Sequence, residues 1–402
     1  MSTSLKGLSE AVLNHDLEGI KRFLRVHMDH GCLDHGTLSE ALLEAAKKGM
    51  FEIVEFILRS SDDVDINYTN SNGRNALCMS IKAGDLNVVK LLVEKGASVN
   101  VNEANMNCFD TNPLHLATEC DDVNILEFLL RNGANVNSMD KLGCSALHRA
   151  IKSKNVDKVK ILLENGADLK PMEYFEMTPL CSAVMMESPE IVQLLLNAGA
   201  DPNDTDLSGM EMGSYRCSLL HTAQMLKESS FEKSSTILQM LIESGARLNQ
   251  EDSYGYTPIQ HCIKRCKTKA FNMTNLILLI KAGAKLESVE RVSYYKSISL
   301  ESSLYLLQCY RQWDVIRLLV DAGWELHREP CMDIVLENAQ ERNTEIYDDI
   351  KALHSHPYPL MSLCRIAIKR HLLRCTHDRS IYTRVLELPL PRKLRDFVMG
   401  VT

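Results

Sequence analysis

The sequence predicts a mainly α-helical protein, a solenoid of about eight to nine helix–turn–helix repeats, some degenerate, followed by a carboxyl-terminal segment of three-helix type. Three observations carry this expectation. First, a Leu-aliphatic-x-x-Gly-Ala string returns at Gly96-Ala97, Gly133-Ala134, Gly166-Ala167, Gly199-Ala200, Gly245-Ala246 and Gly283-Ala284, with a degenerate Gly323-Trp324, at separations of 37, 33, 33, 46, 38 and 40 residues. Second, hydrophobic residues make up 45% of the chain but aromatic ones only 6%. That composition suits a row of small helical cores rather than one large aromatic core. Third, residues 359–402 carry two apolar motifs, Leu360–Leu372 and Leu388–Val398, which so small a segment cannot bury unaided.

In chain order, residues 1–70 read as degenerate amino-terminal repeats. Leu8 to Leu24 and Leu38 to Leu58 each contain paired helical patterns, and Ala45-Ala46-Lys-Lys-Gly49 before Ile53-Val54 has the form of a turn between two helices. Gly-Ala is absent from both, as expected of terminal units with one face toward water. Clear repeats follow over 71–329, starting near Asn72, Asp110, Leu142, Glu176, Ser214, Tyr254 and, weakly, Val292. In each, Thr, Ser or Asn caps a first helix, Pro or Ala starts it, and a small Ala one turn on permits close helix contact. Glycine ends the second helix in the left-handed conformation, and the chain turns out into a hairpin. Asn100, Asn137, Asn203 and Asn249 close those hairpins, where Asn tolerates left-handed geometry and bonds its own backbone. Residues beyond the base period of 33 are expected in loops, because stacked helices cannot lengthen independently. They fall at Asn102–Thr111, Asp204–Arg216, Lys227–Ser235, Arg265–Asn272 and Arg291–Ser299. Such loops are either recognition fingers or drift at the surface.

The period, together with Asn112-Pro113-Leu114-His115-Leu-Ala117, Ser145-Ala146-Leu147-His148-Arg-Ala150 and Thr178-Pro179-Leu180-Cys-Ser-Ala183, resembles the ankyrin repeat. The resemblance implies that His115, His148 and His221 bond backbone in neighbouring turns. It also implies that the hairpin asparagines are open to hydroxylation. Residues 330–358 hold Ile334, Val335, Ile346 and Ile350 among many acids, a helical cap and linker.

In the tail, Leu360, Leu363, Cys364, Ala367, Ile368 and Leu372 fall on one helical stripe, with Arg365, Lys369 and Arg370 on the other sides. Leu388-Pro389-Leu390-Pro391 must be extended, because each proline pushes its predecessor out of the α region. Leu394, Phe397 and Val398 then resume helical spacing. Pro359 to Ile368 resembles the elongin-binding half of a SOCS box. Val385 to Val398 resembles its cullin-binding half, in the form that selects cullin-5, with Val398 where Leu or Ile is more usual. Residues 359–402 thus resemble a whole box, elongin-binding over 359–372 and cullin-binding over 385–398.

The chain therefore resembles the ankyrin repeat and SOCS box family over essentially its full length. The resemblance implies a substrate-recognition subunit of an E3 ubiquitin ligase. Leu360, Leu363, Cys364 and Ile368 would bind elongin C, with elongin B following. Leu388, Pro389, Leu390 and Pro391 would meet cullin-5 with its RING-box partner, and the ankyrin face would hold a protein substrate for ubiquitination and proteasomal degradation. An ankyrin scaffold or inhibitor that binds elongins without productive ubiquitylation is the alternative.

Other chemistries are set aside. The thirteen cysteines are spread without paired spacing and Met1-Ser-Thr-Ser-Leu-Lys has no apolar signal core, which points to a reduced intracellular compartment, the cytoplasm or also the nucleus. The sequons at Asn67, Asn203 and Asn272 would then go unused. No apolar run approaches the roughly 18 residues of a membrane span. Net charge is −8 and the tail is basic, but its cations line the outer faces of apolar motifs without an RNA-binding aromatic pattern, so nucleic acid is not expected. Cys364, His371, Cys375 and His377 lack zinc-ligand spacing, and His261-Cys262 with Cys266 read as helix contacts. No phosphate loop and no nucleophile–base pair is present. No cofactor, metal or catalytic residue is expected, and the chain reads as a non-catalytic adaptor.

Overall fold

A computed structural model of the chain describes residues 18–23, 35–60, 64–70, 73–100, 112–140, 143–169, 177–206, 217–226, 230–265 and 272–285. The weak repeat near Val292, the segment 330–358 and the tail 359–402 lie outside the described residues, as do the inserted residues 101–111, 207–216 and 266–271.

The protein is mainly helical. Residues 18–23 are helical, and helix pairs follow: α1 (His35–Lys47) and α2 (Phe51–Ser60), α3 (Ala76–Ala83) and α4 (Leu86–Glu94), α5 (Pro113–Glu119) and α6 (Val123–Arg131), α7 (Ala146–Lys152) and α8 (Val156–Glu164). A second compact unit, beginning at Glu176, holds α9 (Pro179–Met185), α10 (Pro189–Asn197), α11 (Leu219–Gln224), α12 (Phe231–Glu243), α13 (Pro258–Lys264) and α14 (Met273–Ala282). Within the first unit the first helices α1, α3, α5 and α7 touch in succession, and the second helices α2, α4, α6 and α8 do likewise. The second unit repeats the two layers, with α9, α11 and α13 in one and α10, α12 and α14 in the other.

The first helices start as the sequence expects. Asn75, Asn112 and Thr178 accept from the backbone N–H of Cys78, Leu114 and Cys181 at 2.9, 2.8 and 3.2 Å, which satisfies a donor that the helix itself leaves over. Thr257 and Gln260 form a reciprocal capping box. Ala117, Ala150, Ala183 and Ala223 are fully buried, so the small residue does sit where two layers meet. Gly133 and Gly199 end their helices at φ 84° and 93°, with Ala134 and Ala200 donating to Leu129 and Leu195 at 3.0 Å in the six-to-one bond of a Schellman turn. Lys154 and Glu187 take φ 56° between paired helices, a conformation that the sequence assigned to glycines and hairpin asparagines.

Two expectations need correction. Lys227–Ser235 does not stay a loop: α12 begins at Phe231 and runs for 13 residues, against nine for α10. The helix grows at its amino end because hydrogen bonds replace apolar burial there. Ser234 Oγ donates to the Ala223 carbonyl at 2.7 Å, Asn275 Nδ2 donates to Ser234 Oγ at 2.9 Å, and Asn272 Nδ2 reaches the Phe231 carbonyl at 3.2 Å. The inserted stretch after Asn203 also starts as structure: β1 (Thr205–Asp206) pairs antiparallel with β2 (Cys217–Ser218). The second correction concerns the hairpin asparagines. None of Asn100, Asn137, Asn203 and Asn249 has positive φ, and their side chains bond the next repeat, Asn203 also donating to Asp201 in its own turn.

Candidate functional site

The anchors read from the tail, Leu360, Leu363, Cys364, Ile368, Leu388, Pro389, Leu390 and Pro391, lie outside the described residues. What the structure presents is the surface of the repeat stacks, and its geometry starts from the bonds that hold one repeat to the next. Asn100 Nδ2 donates to the Gly133 carbonyl and Asn100 Oδ1 accepts from Asn135 N–H, both at 2.8 Å. Asn137 does the same with the Gly166 carbonyl at 3.3 Å and Asp168 N–H at 2.8 Å. In the second unit Asn203 spans to the Gly245 carbonyl at 3.4 Å and to Arg247 N–H at 2.7 Å, and Asn249 Oδ1 accepts from Lys285 N–H at 2.7 Å. An amide has one donor group and one acceptor, which suits a carbonyl and an N–H two residues apart. Asn67, which accepts from Ser98 N–H at 2.8 Å, belongs to the same series. Its place in a degenerate repeat hid it from the sequence reading.

Two of the three repeated histidines bond backbone in the next repeat, as the resemblance implies. His115 Nε2 lies 2.9 Å from the Cys144 carbonyl, and His221 Nε2 lies 3.0 Å from that of Tyr256. His148 and His221 turn Nδ1 to the hydroxyls of their own caps, Ser145 and Ser218, at 2.9 and 2.8 Å. His221 stacks edge-on to His261 with ring centroids 5.7 Å apart. Burial holds His221 below the ordinary imidazole range, against the hydrogen bond that its ring donates to the Tyr256 carbonyl, which favours its charged form. Burial, then the neighbouring His221, pushes His261 down to about 4. Both rings are therefore neutral at physiological pH.

Two cations of the first unit, Arg149 and Lys158, are held inside the stack. Arg149 on α7 reaches Asp140 at 2.7 Å and Glu119 on α5 at 2.7 Å, and Asp140 also accepts from Cys144 N–H at 2.9 Å. Lys158 on α8 is only 2% exposed. Its ammonium donates to the Thr118 carbonyl at 2.8 Å and to that of Cys120, where the carbonyl end of α5 favours a cation. Burial lowers its pKa, while Cys120 and Asp121 act the other way.

The second unit differs at one position. Counting seven residues from each first-helix cap, the first unit shows Lys82, Glu119 and Lys152, and the second shows Met185, Met225 and Lys264. Met185 and Met225 are 40% and 41% exposed. Lys264 lies 3.1 Å from Tyr256 Oη and 4.2 Å from the centre of that ring, and no carboxylate lies within ion-pair distance of it among the described residues. Sequence reading passed over this column because single methionines are unremarkable. The available signal was the switch from charge to methionine at one register position. Among the described residues no helix is long and apolar enough to cross a membrane, and no group of three or more His, Cys, Asp or Glu side chains gathers as a metal site would.

With layered helix pairs, capped first helices and inter-repeat bonds in view, the comparison with known families is direct. The family model described as ankyrin repeats (3 copies) matches residues 8–103 and 114–206. A SOCS box model matches residues 356–399. The chain is a repeat protein with a docking box, and it belongs to the ankyrin repeat and SOCS box proteins. That pairing is typical of substrate receptors of cullin-5 ubiquitin ligases, and the SOCS box generally binds elongins B and C and a cullin. No curated protein matches the chain.

Proposed function

We propose that this protein is the substrate-recognition subunit of a ligase built on elongin C, elongin B and cullin-5 with its RING-box protein. The observation that carries this is the presence in one chain of an ankyrin stack and of a box match at 356–399 that encloses both apolar tail motifs. In this reading Leu360, Leu363, Cys364 and Ile368 form the stripe that enters elongin C. Leu388, Pro389, Leu390 and Pro391 meet the cullin with a backbone already stiffened by proline, which lowers the entropy lost on docking. Residues 330–358 act as cap and spacer.

The mechanism is positional. A substrate held on the repeats is brought near a charged ubiquitin-conjugating enzyme, and the raised effective concentration speeds transfer to its lysines. The chain itself supplies no catalytic group in this scheme.

The test is reconstitution. Replacing Leu360 and Cys364 together by Ala should weaken elongin capture at least about thirtyfold, as loss of a buried anchor pair does. Elongin capture that survives this double change overturns the anchor assignment. Replacing Pro389 and Pro391 by Ala should leave elongins bound and lower ubiquitylation of a captured partner. Unchanged ubiquitylation there would favour a scaffold that uses elongins without the cullin.

A further inference from the structure

The column Met185, Met225, Lys264 in the second unit is the one place in the described first-helix layer where two exposed methionines are followed, at the same register, by a cation without a carboxylate partner. Each feature has a bland explanation alone, and the combination does not. The corresponding positions of the first unit carry Lys82, Glu119 and Lys152, with Glu119 already tied to Arg149. Exposed methionine is a soft, adaptable surface for apolar side chains. Lys264 is half-buried and held in place by Tyr256, so its side chain is already ordered for a carboxylate and loses little freedom on pairing. In sequence the next five residues add Arg265, Lys267 and Lys269 and no acid.

Spacing turns this chemistry into a pattern. Helices α9, α11 and α13 are successive neighbours, and packed helices lie roughly 8–10 Å apart. A segment extended as polyproline II advances about 3.1 Å per residue and returns its side chains to the same face every third residue. Three residues therefore span one helix-to-helix step. We infer that the second unit binds an extended apolar–acidic segment of a partner protein, with two apolar side chains three residues apart over Met185 and Met225 and, three further on, an Asp or Glu at Lys264. The same pattern read backwards fits the opposite chain direction. The inference rests on the reading of the repeats as a substrate receptor and names the class of segment they take.

Selection of short random peptides displayed on phage against the purified full chain tests it. The expected result is enrichment of apolar-x-x-apolar-x-x-acid, or its reverse. For a synthetic peptide of the selected sequence, K264E should weaken binding about five- to tenfold and shift a repeated selection from Asp or Glu toward Lys or Arg at the last position. M185D with M225D should abolish enrichment of the apolar pair, while the same methionines changed to Leu should keep it. Rising salt should weaken the wild-type complex and, by screening the like charges, strengthen the K264E complex. Selected peptides without the spaced acid, or with binding indifferent to K264E and to M185D with M225D, overturn the inference. Elongin capture by the same preparations is scored separately: its loss would remove the ligase reading while a positive selection kept the binding site.

Discussion

Asn100 shows what a single side chain contributes to a stack. Its amide closes two hydrogen bonds to the next repeat, at 2.8 Å each, and an Asn100→Ala change should lower unfolding free energy by about 1–2 kcal/mol. Chemical denaturation checks this, with Asn132→Ala, whose amide bonds only its own helix at Phe128, as the smaller effect. His261 supplies a pH dependence. Its pKa is near 4 in the fold and about 6.5 in an unfolded chain. Above pH 6.5 both states are neutral and the residue adds no slope. Between roughly 6.5 and 4 the unfolded chain takes up a proton that the native state refuses, so stability falls with falling pH, by on the order of 3 kcal/mol, and levels off below. His221, shifted in the same direction, adds to the slope. Denaturation across that pH range should show it, and His261→Gln should flatten it. Neither effect was legible in the sequence. The motif marks where His221 sits, but the partners of both residues come from another repeat.

At the scale of the element, the first helices were the most legible part of the molecule. Their caps, their starting prolines and their buried alanines are local signals, and each sits where the sequence put it. Helix α12 was not legible, because Lys227 to Ser235 is polar and reads as a loop. Its first turn is held by Ser234, whose hydroxyl bridges the Ala223 carbonyl and the Asn275 amide, partners 11 and 41 residues away. Asn275→Ala should therefore fray that turn. Hydrogen exchange of the α12 amides would show early loss of protection at the amino end with the rest of the helix unchanged. Equal protection in mutant and wild type would mean that propensity alone holds the turn.

For the whole molecule, nearest-neighbour contact between repeats separates folding of the stack from the work of the tail. Leu126, fully buried on α6, should cost about 2–5 kcal/mol of stability when changed to Ala, without reducing elongin capture. Leu360→Ala should do the reverse, and a thermal melt beside a capture assay distinguishes the two. The sequence by itself determined the class: a glycine-punctuated period of 33, capped helix starts and a two-part apolar tail are local or periodic signals, and such signals survive without coordinates. Tertiary structure decided which side chains are spent and which stay exposed. Arg149 is consumed by Glu119 and Asp140, Lys158 by carbonyls of another repeat, and the hairpin asparagines by backbone beyond their own turn, while Met185 and Met225 keep about two-fifths of their surface exposed. The physical reason is that a side chain's availability depends on partners some 30 to 40 positions away, and only stacking brings those partners within reach.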